Sequence, residues 1–170
     1  MDRDAALADF DRARSEWEEA FARVPDAALG FLKPGDDYAL GGLAVHVNAV
    51  LAGYLTLLHA IVAADFQDLT PSPPADAEAV ALAARRGLSP AERGPALAEM
   101  RRLHVEFRDT LAALRETDWT RVCQVVYGAG QDPLATKPED VLGWVRDHYR
   151  EHVPHSAELV DEWRRAKAGG

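Results

Sequence analysis

Cysteine is the scarcest resource of this 170-residue chain: Cys123 is its one thiol, so no disulfide can form within it. A disulfide scaffold is thereby excluded, and a reducing, cytoplasmic setting is expected. Positive charge is short as well. The chain has 19 Lys and Arg against 28 Asp and Glu, a net charge of −9 with histidine neutral, and no basic stripe. Such a surface repels phosphate backbones, which argues against a nucleic-acid partner. Ile and Thr are sparse beside Ala, Leu, Val, Glu and Arg, which favours helix over sheet. A phosphate loop and a Gly-rich dinucleotide fingerprint are both missing. The start, Met1-Asp2-Arg3-Asp4, lacks the basic-then-apolar layout of a secretory leader, so none is expected. The longest apolar stretch, Tyr38 to Ala64, is broken by Gly41, Gly42, His46, Asn48, Gly53 and His59; it reads as a buried helix rather than a membrane span.

Apolar residues make up 48% of the chain, enough for one domain over residues 1–170 with a sizeable core. Leu7, Phe10, Trp17, Phe21 and Val24 recur at helical spacing and predict a first helix from about Asp4 to Val24, stopped by Pro25. A turn at Lys33-Pro34-Gly35-Asp36 precedes a second helix, for which Asp36 or Asp37 is the expected cap. Its stripe is Leu43, His46, Val50, Tyr54, Leu57 and Ile61, ending near Ala64. A short helix is expected over Asp76 to Arg86, with Gly87 as terminator. Ser89-Pro90-Ala91-Glu92 is a capping box, although Gly94-Pro95 makes the third long helix safest from Pro95 to Glu116. Its stripe includes Met100, His104, Phe107 and Leu111. Arg121 to Tyr127 reads as extended. Thr136-Lys137-Pro138-Glu139 reads as a second capping box, opening a last helix to about Arg165 that Pro154 should bend. Four long amphipathic helices make an all-α four-helix bundle the natural architecture.

Three histidines stand out on these stripes. His148 and His152 lie one helical turn apart on the last helix, and His46 lies on the inward stripe of the second. Imidazoles in a dry core need a hydrogen bond or a metal ion. A pair four residues apart can share one ion, and a third ligand from a neighbouring helix leaves open the position a catalytic site requires. Each of the three taken alone reads as a hydrogen-bonded core histidine; the set favours a metal. His155 shares the face of His148 and ranks second, as an alternative ligand or a hydrogen-bonding neighbour. His104, also on an inward stripe, ranks with it, and His59 stands apart. His148-Tyr149-Arg150-Glu151-His152 fits the inverted zinc-peptidase pattern H-x-x-E-H, in which Glu151 would be the base. Only 18 residues follow His152, too few for the further ligand that scaffold uses downstream, so Glu151 is kept as a candidate base without a peptidase assignment. No flanking motif activates Cys123, which reads as a buried thiol.

Two segments resemble the DinB/YfiT-like superfamily of metal-binding helical bundles. Tyr38-Ala39-Leu40-Gly41-Gly42-Leu43-Ala44-Val45-His46 is similar to its aromatic-led helix start ending in a ligand histidine, and His148 to His152 is similar to its paired histidines on the final helix. The resemblance implies an up-up-down-down bundle, a divalent ion (often nickel or zinc) on His46, His148 and His152, and a homodimer. It further implies chemistry on small molecules: transfer or isomerisation dependent on a low-molecular-weight thiol such as bacillithiol, mycothiol or glutathione, or metal-dependent hydrolysis. The chain departs from the family pattern in three places. Tyr38-Ala39 replaces Trp-Ser, Gly42 stands where Glu is common, and His155 stands where Gln is common. The alternatives are a non-catalytic, stress-associated bundle that holds a metal or ligand in a closed site, and a metal-free bundle whose histidines only pack.

Overall fold

The computed structural model of the chain describes residues 2–169. Four long helices, α1 (Arg3–Ala22), α2 (Gly42–Ala63), α4 (Pro90–Ala112) and α6 (Pro138–Ala168), form a bundle. Two short helices, α3 (Ala77–Arg86) and α5 (Glu116–Trp119), and a hairpin of β1 (Cys123–Val125) with β2 (Leu134–Thr136) complete it. The core is the set of inward stripes: Phe10, Trp17 and Phe21 from α1, Leu43, Leu51 and Leu58 from α2, Met100, Phe107 and Leu111 from α4, and Val141, Val145 and Leu159 from α6. Each fully buried leucine or phenylalanine contributes about 1.5–3 kcal/mol relative to exposure.

Contacts along the helix pairs give the directions. Asp9 meets Arg146 and Trp17 lies against His152, so α1 and α6 run parallel. Tyr54 meets Trp144 while His46 meets His152, so α2 runs against α6. Asn48 bonds Ala96 and His59 bonds Thr110, so α2 and α4 run together. The order is up-down-down-up, which corrects the up-up-down-down order drawn from resemblance. The reason lies in α3. After α2 ends, the chain turns back along it, and the Ala84 carbonyl accepts the Ala39 N–H at 2.9 Å beside the start of α2. The chain therefore reaches Ser89 at the same end of the bundle from which α2 departed, and α4 starts parallel to it.

Several boundaries differ from expectation. Neither Asp36 nor Asp37 caps α2. Its start is set five residues later by long-range backbone bonds, Leu40 N–H to Phe31 O at 2.8 Å and Gly41 N–H to Leu29 O at 2.8 Å. A Cβ on Gly42 would sit 1.7 Å from the Ala84 carbonyl oxygen. Glycine is thus required where α3 crosses the start of α2, which explains the departure at this position. The buried stripe of α2 is Leu43, Val47, Leu51, Leu55 and Leu58, and His46, Val50 and Tyr54 flank it as half-buried residues. α2 is long and apolar enough to cross a membrane, and is packed here against α3, α4 and α6. The Ser89–Glu92 capping box opens α4 at Pro90, and the helix absorbs Gly94 and Pro95. At α6 the capping carboxylate is Asp140, which accepts the Lys137 N–H at 3.1 Å, one residue on from the Thr136–Glu139 box. α6 stays helical through Pro154 to Ala168.

Candidate metal centre

His46 enters the site from the first turns of α2, and His148 and His152 enter from successive turns of α6. Donor atoms of the three all lie within 4.8 Å of one another. His148 Nε2 and His152 Nε2 are 3.2 Å apart, and the His46 ring centroid stands 4.9 and 5.1 Å from those of His148 and His152. Two nitrogens held about 2.0–2.1 Å from one tetrahedral zinc ion are roughly 3.3–3.4 Å apart. The α6 pair therefore already stands at ligand spacing.

The electrostatics point the same way. Burial first, and then the neighbouring His148 and His46, depress the His152 pKa to about 3. Burial first, with His148 and His155 adding to it, depresses His46 to about 4. His148 is lowered too, chiefly by burial, with Glu151 opposing. All three imidazoles are thus held neutral at neutral pH, the state in which nitrogen donates to a metal. His152 is buried, whereas His46 and His148 are half-buried, so the site opens to solvent on their side.

The residues around the triad have separate tasks. Tyr38 stacks on His46 with ring centroids 4.2 Å apart and fixes that ring's plane. Glu151 lies behind His148, its Oε2 3.7 Å from Nδ1, with its side chain 73% exposed. That position suits a carboxylate that orients the ligand, facing away from the point where the Nε2 atoms converge. His155 touches the back of His152, Nδ1 to Nδ1 at 3.3 Å, rather than joining the convergence. His104 is elsewhere. It is buried between α1 and α6, its Nε2 bonded to Asp11 Oδ1 at 2.9 Å, its Nδ1 3.5 Å from the Tyr149 hydroxyl, and its ring stacked on Phe10. His59 is exposed and bonds Thr110. Cys123 is buried, its Sγ donates to the Gln67 carbonyl at 3.1 Å, and burial raises its pKa, the opposite of what activates a thiol. Sequence reasoning missed Asp36, which faces His155 from the turn before α2; its capping chemistry drew it to the helix start instead.

A family model of the DinB superfamily matches residues 9–155. No protein of curated function matches the chain. Among solved structures, the chain is similar to YfiT from Bacillus subtilis, described as a probable metal-dependent hydrolase with an unusual four-helix bundle topology. The identity is 15%, with 95% of this chain and 87% of that one covered and a TM-score of 0.74. It is also similar to the mycothiol-dependent maleylpyruvate isomerase at 17% identity and a TM-score of 0.64, covering 90% of this chain and 60% of that longer one. At these identities the likeness shows the shared fold.

Proposed function

The chain belongs to the DinB superfamily, and from that premise we propose that it is a metal-dependent enzyme acting on a small molecule, with a divalent ion held by His46, His148 and His152. The observation that carries this reading is the convergence of three neutral imidazoles from two helices, with donor atoms within 4.8 Å of one another and His46 and His148 only half-buried. The second-ranked histidines support the open position. His155 is spent on His152 and His104 on Asp11, so neither closes a fourth site. Zinc and nickel both suit three imidazoles.

Such an ion supplies Lewis acidity, which polarises an electrophile and acidifies water or a thiol at neutral pH. The chain's own residues supply the frame. Tyr38 holds the plane of His46, Glu151 and His155 stand behind the α6 ligands, and Trp17 closes the inner side against His152. The two nucleophiles in view are water and a low-molecular-weight thiol. The descriptions of the two similar structures, a hydrolase and a thiol-dependent isomerase, support testing both. Our reading includes a cytoplasmic location, consistent with the single buried thiol, and a homodimer, which sedimentation of the purified protein tests.

The experiment is metal analysis by mass spectrometry on untagged protein purified without immobilised metal or chelators, beside the His148→Ala/His152→Ala variant. About one metal per chain in the parent, lost in a folded variant, is the expected result. A parent that is metal-free and takes up neither Zn²⁺ nor Ni²⁺ overturns the reading. With the metal in place, hydrolytic and thiol-transfer substrates are screened against the same variant.

A further inference from the structure

Behind the ligand histidines runs a polar chain that reaches back to the loop before α2. His152 Nδ1 is 3.3 Å from His155 Nδ1, and the two rings stack with centroids 5.5 Å apart. The other nitrogen of His155, Nε2, stands 3.6 Å from Asp36 Oδ2, within electrostatic reach of the carboxylate. Asp36 is held for this contact. It closes a turn by donating its N–H to the Lys33 carbonyl at 3.0 Å, and Gly35 supplies the left-handed residue of that turn at φ +86°. Asp36 Oδ1 accepts the Asp37 N–H at 2.9 Å, which leaves Oδ2 for His155. Lys33 pairs with Glu158 at 2.8 Å, pinning the turn to α6 just beyond His155.

Proton accounting gives this chain a direction. Two facing Nδ1 atoms share a single N–H, since two lone pairs repel and two hydrogens collide. A neutral imidazole carries one N–H. The negative charge of Asp36, 3.6 Å away and beyond hydrogen-bond length, favours that hydrogen on the Nε2 side of His155, so His155 Nδ1 is the acceptor and the shared hydrogen sits on His152 Nδ1. His152 Nε2 is then the bare nitrogen, and in the metal-free protein it accepts the hydrogen that His148 carries on Nε2, 3.2 Å away. We propose that Asp36 and His155 are positioning residues that lock His152 in its Nδ1–H form and so present Nε2 to the metal. The purpose of the lock rests on the metal-binding reading above; the tautomer itself is a property of the metal-free protein. His148 is less firmly held, its Nδ1 3.7 Å from the exposed Glu151, which water can replace. Asp36 and His155 are only 21% and 27% exposed, so their contact is better shielded.

The test has two readouts. Long-range ¹⁵N–¹H correlation on metal-free, histidine-labelled protein at roughly pH 8, above the imidazole range, assigns the His152 tautomer. The parent should carry its hydrogen on Nδ1, and His155→Ala should mix the two forms. His155→Gln, whose amide oxygen accepts the same N–H, should preserve the parent pattern, and Asp36→Asn should weaken it. Gln and Asn keep the side-chain size, so these arms survive if the alanine variant unfolds. A parent with its hydrogen on Nε2, or no change on losing His155, overturns the proposal. Competition titration with Zn²⁺ is the second readout. Affinity should fall about 10–100-fold in His155→Ala, return in His155→Gln, and fall non-additively when Asp36→Ala is combined with His155→Ala. Equal affinity in parent and His155→Ala overturns the lock while leaving the metal site intact. A changed Co²⁺ absorption spectrum in His155→Ala that reports a lost ligand overturns it too, making His155 a ligand. A parent that binds no metal fails the reading above, and the tautomer result then stands or falls alone.

Discussion

Two groups of histidine lie within the bundle, and their partners differ in kind. His104 has a carboxylate at one ring nitrogen and a phenol near the other, with Phe10 stacked on its face. Its polar atoms are accounted for by other side chains, and it ties α4 to α1 and α6. The α6 pair faces itself: Nε2 meets Nε2, with His46 alongside and, among the described residues, no carboxylate at the point of convergence. Both groups are desolvated, and burial is the leading cause of a lowered pKa in His104 and in the triad alike. The contrast separates a histidine that welds helices from histidines that face a common point with lone pairs to give. Burial alone does not distinguish them; the identity of the atom opposite each ring nitrogen does.

The sharpest way to break this comparison is to remove one member from each group. His152→Ala should weaken Zn²⁺ binding by more than the ~100-fold typical of losing a partner behind a ligand, with a smaller effect on the metal-free fold. His104→Ala should do the reverse, leaving metal stoichiometry unchanged and lowering unfolding free energy by about 2–3 kcal/mol, because Asp11 and Tyr149 lose their buried partner. Urea melts with and without metal read both effects. If His104→Ala strips the metal, the division between the groups is wrong.

A second perturbation acts on the frame that carries His46. Gly42→Ala puts a methyl where the Ala84 carbonyl stands, so α3 or the start of α2 must shift. A loss of about 1–3 kcal/mol is expected from such overpacking, together with weaker metal binding, since His46 lies one turn further along. Thermal melts and the Zn²⁺ titration check it.

Acid should probe the triad next. Unfolded histidines take up protons near a pKa of about 6.5, whereas the folded His46 and His152 resist until about 4 and about 3. Between those limits the unfolded state binds more protons. The contribution of these groups to stability is therefore complete above about pH 6.5 and is lost as pH falls toward 4 and 3. Metal-free parent should lose stability over this window more steeply than the His46→Gln/His152→Gln variant, as urea midpoints at successive pH values will show. The smallest effect is expected from Tyr38→Ala. Removing a stacked ring worth about 0.5–1.5 kcal/mol should lower Zn²⁺ affinity several-fold at most and leave stoichiometry at one.

Much of the site was legible along the chain because helical spacing places side chains by arithmetic. His148 and His152 needed only an α-helix to share a face, and the stripe of α2 brought His46 to the inward side within one position. Pro25, the Ser89–Glu92 box and Gly87 marked boundaries through local chemistry, and the structure keeps each near its expected place. What failed was wherever the deciding partner was distant. Asp36 has the chemistry of a cap, but backbone bonds from Phe31, Leu29 and Ala84 start α2 elsewhere and turn that carboxylate toward His155. His104 and His155 looked equivalent on their stripes until Asp11 and His152 were seen opposite them.

The sequence by itself determined the helical class, the four long amphipathic segments and the three imidazoles able to meet, since period, composition and local capping are properties of neighbours in the chain. The direction in which the helices run, the start of α2, and which nitrogen each histidine turns to the centre were decided only in the tertiary structure. Those depend on where α3 lays its carbonyl, how glycine admits it, and which carboxylate the fold delivers behind each ring, and such contacts join residues that no local pattern connects.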